Sequence, residues 1–383
     1  MHDHTSSYLL FNDTSGSADA LFRHIDAALA GGAKSLLLLA CAANGFTPAA
    51  LNARLRSLPV PVFGGIFPQL IANRLLMTRG SIVYGLPTVT TIRHIPDISA
   101  EDRDFTEAVD AFAAAIAPGS TLLALFDSAG KRMSSCLASL YEVLGDNCRY
   151  LGGGAGSPLT GITPCLFSNA GLLQDCVQIA ALGYTLNISS GHGWQKFAGP
   201  FLVTGAYHNV ITTLDYCPAF EVYRKVVETD SGISHQSRRF AELVHTYPLG
   251  LEKLDGELSV RSPLLQSGND LVCVGEVPLN HMLYILKGRQ ANILATARAC
   301  VQAATAMGVG KHPALLFDSI SRPVLLGEQF ATELTIVRAA LPPDIPLLGV
   351  LSHGQIANNG ETCLEMDNKT IAVGVVPNQG DAA

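Results

Sequence analysis

Two stretches decide the fold: Thr121-Leu-Leu-Ala-Leu-Phe-Asp-Ser128 and Pro313-Ala-Leu-Leu-Phe-Asp-Ser319. Each is a short apolar run ending in the same four residues, and each follows an amphipathic helical stripe. Phe105, Ala108, Val109, Phe112, Ala115 and Ile116 precede the first and stop at Pro118-Gly119. Ile293, Leu294, Ala297, Val301 and Ala304 precede the second and stop at Gly308 and Gly310. The same order stands near the start of the chain, where Leu21, Phe22, Ile25, Ala28 and Leu29 lead through Gly31-Gly32 to Ser35-Leu-Leu-Leu-Leu-Ala-Cys41.

A second helix pattern follows each strand: Leu51, Leu55, Leu58; Met133, Leu137, Leu140, Leu144; and Phe330, Leu334, Val337, Leu341. Thr47-Pro48 opens the first of these as an N-cap followed by proline at the first helical position. Next comes a strand running into glycine: Val60-Pro-Val-Phe-Gly64-Gly65, Tyr150-Leu-Gly152-Gly153-Gly154 and Pro346-Leu-Leu-Gly349. Further strand-like runs begin at Ser81, Val177 and Thr370. A strand, a crossover helix and a second buried strand make a right-handed βαβ unit with a parallel pair at its centre. The added strands make each sheet mixed. The expected fold class is therefore α/β: a two-part protein of mixed sheets flanked by helices, built from repeated helix-strand-helix-strand-Gly-strand units.

Between the second and third units, Tyr207 to Gly288 carries one helix pattern near Pro218 and then alternating runs at Leu258, Leu271 and Met282. These predict antiparallel strands of a second sheet. The division is placed near Leu214, giving a domain of two α/β units over 1–213. A second domain over 214–383 would hold the antiparallel strands and the third unit.

Of the 383 residues, 48% are apolar and 15% charged, which supplies a large core and excludes disorder. The apolar run Leu36 to Ala43 falls well short of the roughly 20 residues a spanning helix needs. Met1-His-Asp-His lacks the basic start and apolar core of a secretion signal, so a cytoplasmic protein is expected. A net charge of −7 without a basic run gives no electrostatic footing for nucleic acid. Nine scattered cysteines without a C-x-x-C pair predict buried, reduced thiols rather than a disulfide framework or zinc site.

Asp127-Ser128 and Asp318-Ser319 stand at strand ends, where open α/β sheets place ligand crevices. They would rim a pocket or cap the following helices. Gly64-Gly65, Gly152, Gly153, Gly154, Gly156, Gly349 and Gly354 would either place N–H groups around an anion or simply permit close chain reversal. No P-loop, G-x-S-x-G elbow, H-E-x-x-H or C-x-x-C motif is present, so no catalytic residue is assigned.

Phe63-Gly-Gly-Ile-Phe-Pro68, Leu151-Gly-Gly-Gly-Ala-Gly156, Ser190-Gly-His-Gly-Trp194 and Gly199-Pro-Phe-Leu-Val-Thr204 resemble, in that order, the N-terminal half of FIST-domain proteins. So do Leu214-Asp215 and Pro218-Ala219. Leu316-Phe-Asp-Ser-Ile-Ser-Arg322, Gly349-Val-Leu-Ser-His-Gly354 and Asn368-Lys-Thr370 resemble the C-terminal half. The resemblance runs from about Ala20 onward and implies an intracellular sensor of small ligands in signal transduction. The chain is similar to the stand-alone bacterial proteins of the nitric-oxide-sensing NosP subgroup. That implies haem as cofactor, nitric oxide at its iron and a histidine kinase as partner, with a homo-oligomer left open. The alternative is a module binding an amino acid or other small metabolite without haem. A serine-type hydrolase using Ser128 or Ser319 is the third class.

Under the resemblance, Arg322 would clamp a carboxylate or haem propionate, or else pair internally with Asp318 four residues earlier. Of eleven histidines, His192, His208 and His353 stand out, and His353 is the first choice for haem iron. His192 lies in a family motif and argues for structure. His2 and His4 would bind metal only adventitiously. Gln355 stands where the family commonly has glutamate, which removes a charge from a candidate ligand position.

Overall fold

The computed structural model describes residues 8–233, 240–253, 256–359 and 364–378, so His2, His4 and Cys363 lie outside the described residues. The first unit runs β1 (Leu9–Asp13), α1 (Ala18–Ala30), β2 (Ser35–Cys41), α2 (Pro48–Arg56) and β3 (Val62–Phe67). A hairpin, β4 (Gln69–Ala72) and β5 (Leu75–Met77), then precedes β6 (Ser81–Leu86). The second unit repeats that order with β7 (Thr91–Pro96), α3 (Thr106–Ala113), β8 (Thr121–Asp127), α4 (Met133–Leu144) and β9 (Arg149–Ala155). Its hairpin is β10 (Leu166–Ser168) and β11 (Gly171–Leu173), and β12 (Cys176–Leu182) closes it.

The third unit opens with β13 (Asn187–Gly191) and is then interrupted. The interruption holds β14 (Gln195–Tyr207), β15 (Val210–Leu214), β16 (Cys217–Pro218), α5 (Ala219–Ser231) and α6 (Phe240–Thr246). It continues with β17 (Leu249–Glu252), β18 (Leu258–Ser267), β19 (Asp270–Val274) and β20 (Met282–Lys287). The third unit resumes as α7 (Gln290–Thr305), β21 (Ala314–Ser319), α8 (Ser321–Leu326), α9 (Phe330–Ala339) and β22 (Leu347–Ser352). The hairpin β23 (Gln355–Asn358) and β24 (Met366–Asp367) and the final β25 (Ile371–Val375) complete it.

Local chemistry starts the helices where the sequence places them. Ser17 Oγ accepts the Ala20 N–H at 3.1 Å and Thr47 Oγ1 accepts the Ala50 N–H at 3.3 Å, so α1 and α2 are both side-chain capped. In every unit the central strands are parallel, β2 with β3, β8 with β9 and β21 with β22. The return strands β6, β12 and β25 lie antiparallel against β2, β8 and β21. The expected α/β class of repeated mixed-sheet units is what the chain adopts.

The hairpins are exchanged in a cycle. Strand β4 pairs with β22, β10 with β3 and β23 with β9, so each unit completes another unit's sheet. Both faces of the central strands are buried, which is why they read as unbroken apolar runs. Leu123 and Leu125 of β8 join Leu315 and Phe317 of β21 in one shared core. Their neighbours Leu122, Ala124 and Phe126 pack outward with the residues of α3 and α4, and Leu316 packs outward with those of α7 and α9.

The inserted segment closes a barrel in the order β14-β20-β17-β18-β19-β15, with β15 pairing back to β14 and β16 appended. Phe220, Tyr223 and Val227 of α5 join its core beside Val203, Leu249 and Leu283. The expected antiparallel second sheet is this barrel. A boundary at 213/214 falls inside it, cutting β15 itself, with β14 before that point and β17 to β20 after it. Among the described residues, no helix is long and apolar enough to cross a membrane.

Candidate functional site

Strand β8 ends at Asp127, which is buried. Its Oδ1 accepts the Ala129 N–H at 3.0 Å and its Oδ2 accepts the Asp175 N–H at 2.9 Å. Both oxygens thus shape the loop after the strand, and burial pushes the carboxyl above its usual range. Ser128 follows, with its Oγ shielded from solvent and without a hydrogen-bond partner among the described residues. The chain then turns into α4, whose start carries no side-chain cap. Its first N–H groups have no intrahelical acceptor, as at any helix start.

His353 approaches from the turn between β22 and β23. Gly154 sets that approach: a Cβ there would lie 2.2 Å from His353 O and 2.9 Å from Ser128 Cβ. Without it the turn lies flat on β9, with His353 N–H donating to Gly154 O at 3.3 Å and Gly154 N–H donating to Gly354 O at 3.1 Å. Burial drives the His353 imidazole down to about 4, so it is neutral at physiological pH. Its ring makes no hydrogen bond to the described residues.

Ser128 and His353 line one cavity of about 370 Å³ between the second unit and the barrel. Met133 and Ser134 of α4 and Lys131 belong to the same wall. The barrel contributes Tyr207, His208 and Asn209 from the β14–β15 hairpin, Val274 at the end of β19, and Gly275 and Glu276 after it. That hairpin is docked on β19, since Asn209 Nδ2 donates to Cys273 O at 2.8 Å. The volume is within the range of small-molecule sites.

The other expected residues lie elsewhere. Gly152 faces the neighbouring strand, where a Cβ would meet Ala124 O at 1.8 Å, and a Cβ on Gly153 would meet Ser352 Oγ at 2.7 Å. These two glycines permit close strand packing and do not cradle an anion. Gln355 is buried; its Nε2 donates to Ser352 O at 3.0 Å and Ser352 Oγ at 2.9 Å, and its Oε1 accepts the Thr370 N–H at 3.2 Å. It ties β23 to the end of the third unit rather than facing a ligand. Ser319 is buried, and its Oγ accepts the Ser321 N–H at 3.3 Å.

Arg322 and Asp318 also require correction. Arg322 is fully buried, and its Nε lies 3.1 Å from both Asp318 Oδ1 and Glu333 Oε1. Its Nη1 donates to His192 O at 2.8 Å and Lys369 O at 3.3 Å. Its Nη2 donates to Ile293 O at 3.1 Å and to Glu333 Oε2. All five guanidinium donors are thereby used inside the chain, leaving none to clamp a ligand. Burial first, and then the Glu333 charge, holds the Asp318 carboxyl well above its usual range, so Glu333 is the counter-ion of Arg322.

Sequence reasoning missed Glu333, although it falls on the core face of the stripe Phe330, Leu334, Val337. It also missed Lys369, whose ammonium is fully buried with no hydrogen-bond partner among the described residues and lies 5.5 Å from the Trp194 ring centroid. His192 organises the crossing from β13 into the barrel, its Nδ1 accepting the Trp194 N–H at 3.0 Å. Of the eight described cysteines, seven are buried and all are free; Cys217 is exposed.

Three exchanged α/β units and an inserted barrel make up the chain, with a cavity between the second unit and the barrel. Two family models match the chain, the FIST N domain over residues 35–216 and the FIST C domain over residues 219–358, and their junction falls within the barrel. The chain belongs to the FIST-domain family, whose domains are associated with small-ligand sensing in signal transduction. No curated protein matches the sequence.

Proposed function

We propose that this protein senses a small polar metabolite, of about amino-acid size, held in the cavity between the second unit and the barrel. The observation that carries this reading is the convergence of Ser128 and His353, from different units, on one wall facing the barrel lip. The open start of α4 and Lys131 suit a carboxylate. Glu276 on the opposite lip suits an amino group. Ligand bound across this boundary favours one arrangement of barrel and units only through its differential affinity for that arrangement, and a signalling partner reads the shift.

A thermal-shift screen of amino acids and small carboxylates tests the reading. A ligand at a hundredfold excess over its Kd stabilises by about 2.7 kcal/mol. The rise should vanish in Ala129→Phe, which fills the cavity. A rise that survives this variant, or no rise with any compound, overturns the proposal.

Haem with His353 as iron ligand is the reading the NosP resemblance implies. In its favour, the His353 imidazole is neutral and has no hydrogen-bond partner among the described residues. Two features do not fit. Iron-ligating histidines donate their second ring N–H to an acceptor, and His353 has none among the described residues. Lys131 is the sole lysine or arginine in the described cavity wall, too few for two propionates. Nitric oxide sensing and a histidine kinase partner rest on the same haem, so one optical spectrum decides. A Soret band after haem supplementation, lost in His353→Ala, would restore that reading.

A further inference from the structure

The three units differ at one connection. From β3 to β4 it is Pro68 alone, and from β22 to β23 it is His353 and Gly354, but from β9 to β10 it spans 156–165. Both ends of the long connection are pinned to Ile66: the Gly156 N–H donates to Ile66 O and the Ile66 N–H donates to Cys165 O, each at 2.8 Å. Between the pins the hydrogen bonds are internal. Leu159 N–H donates to Ser157 Oγ at 3.3 Å, and Thr160 N–H and Oγ1 both donate to Ser157 O at 3.2 Å. Among the described residues, none ties the head of the loop to the rest of the chain. Ends drawn together beneath a self-bonded head make an Ω-loop, and long loops of this kind in compact domains are commonly functional.

The head stands at the cavity, with Pro158 in its wall. The next residue, Leu159, is 71% exposed. Across the mouth, Tyr207 on the barrel lip also lines the cavity and is 66% exposed. Two large apolar side chains thus stand in solvent, one next to Pro158 of the cavity wall and the other on the barrel lip. We infer that residues 157–164 form a flap that closes the cavity by packing Leu159 against Tyr207. Burial of both side chains offsets the ordering of the loop, and a ligand beneath them adds buried surface. The flap rests on the reading that this cavity takes the ligand.

The test is a cross-link made without any ligand. Leu159→Cys is combined with Tyr207→Cys in a Cys217→Ser background, oxidised with copper phenanthroline and read by mass spectrometry. A disulfide needs Cα atoms within about 7 Å, so it forms only when the flap comes across. The expected result is an intramolecular bridge in most molecules, with none in a comparison pair of Leu159→Cys and Met307→Cys. No bridge, or equal bridging in both pairs, overturns the flap. Should Tyr207→Cys fail to fold, Leu264→Cys, which lines the same cavity from the barrel, serves in its place. A ligand screen that finds nothing defeats the sensor reading without touching this result, whereas an unbridged chain that binds a metabolite defeats the flap alone.

Discussion

Replacing Lys369 by methionine should make the protein more stable. The ammonium lies in a left-handed turn residue (φ 61°), fully buried against the face of Trp194. Burial drives it from its ordinary 10.5 down to about 7, and beside it burial and then the Lys369 charge drive His245 to about 4. The sign follows from proton counts. Between about pH 7 and pH 10.5 the unfolded chain binds a proton that the folded chain refuses, so stability falls as pH is lowered through that window. Below about pH 7 the cost is complete, at most about 5 kcal/mol. Attraction to the Trp194 ring, worth roughly 0.5–2 kcal/mol, offsets part of that cost and is lost on substitution. Even buried ion pairs exchanged for apolar side chains of similar volume return up to about 4 kcal/mol. For Lys369, with no hydrogen-bond partner among the described residues, a gain of about 1–4 kcal/mol is expected in Lys369→Met near pH 7. Urea unfolding of both proteins across this pH range is the assay. Wild type should gain stability towards high pH from this group, and the variant should lose that slope. A destabilised variant, or an unchanged slope, refutes the reasoning.

Glu333→Ala should cost about 3–5 kcal/mol in urea unfolding, because it strands the Arg322 charge, whereas Arg322→Met with Glu333→Leu should be near neutral. Gly152→Ala should abolish soluble expression or cost more than about 3 kcal/mol, since the added Cβ meets backbone at 1.8 Å. Gly161→Ala, with φ 73° and open space around it, should cost only about 1 kcal/mol by the same measurement. Gln355→Glu, which installs the family residue, replaces an amide donor facing Ser352 O with a buried carboxylate. Burial raises such a carboxyl, so the melting temperature of the variant should climb relative to wild type as pH falls from neutrality.

The repeated units were legible because each central strand is buried on both faces and each helix on one, so periodicity carried the signal. The exchange of hairpins was not. Leu70 and Ile71 look the same in sequence whether β4 pairs within its own unit or with β22. Register against a distant strand chooses between them, and no local propensity encodes it. Of the residues that line the cavity, Ser128 and His353 were singled out in the sequence through strand ends and glycine turns. Tyr207 and Glu276 were not, because exposed residues on a barrel lip acquire meaning only when the barrel is placed. Arg322 was left between two roles for a physical reason: a lone arginine after a buried strand signals either a ligand or a hidden partner. Glu333, eleven residues on, was that partner.

The shared Leu-Phe-Asp-Ser marks two strand ends that do different things, and the barrel is the cause. The chain leaves the third unit through His192 and Trp194 and returns beside Trp194 at Gly288, where a Cβ would lie 2.4 Å from Trp194 Nε1. Both crossings lie on the third unit, over the end of β21. There Asp318 and Arg322 are sealed, and their charges are satisfied within the chain or suppressed by a bound proton. In the second unit the equivalent end, after β8, meets the barrel across a gap instead of a crossing. Asp127 is spent on loop N–H groups, but the Ser128 hydroxyl in the cavity wall has no partner among the described residues. Strand ends of open α/β sheets are where ligands bind, and insertion of the barrel has closed one such end while roofing the other. A ligand at Asp318 would first have to break the Arg322–Glu333 pair and displace Trp194. A ligand at Ser128 has only to enter beneath the loop that this unit alone possesses.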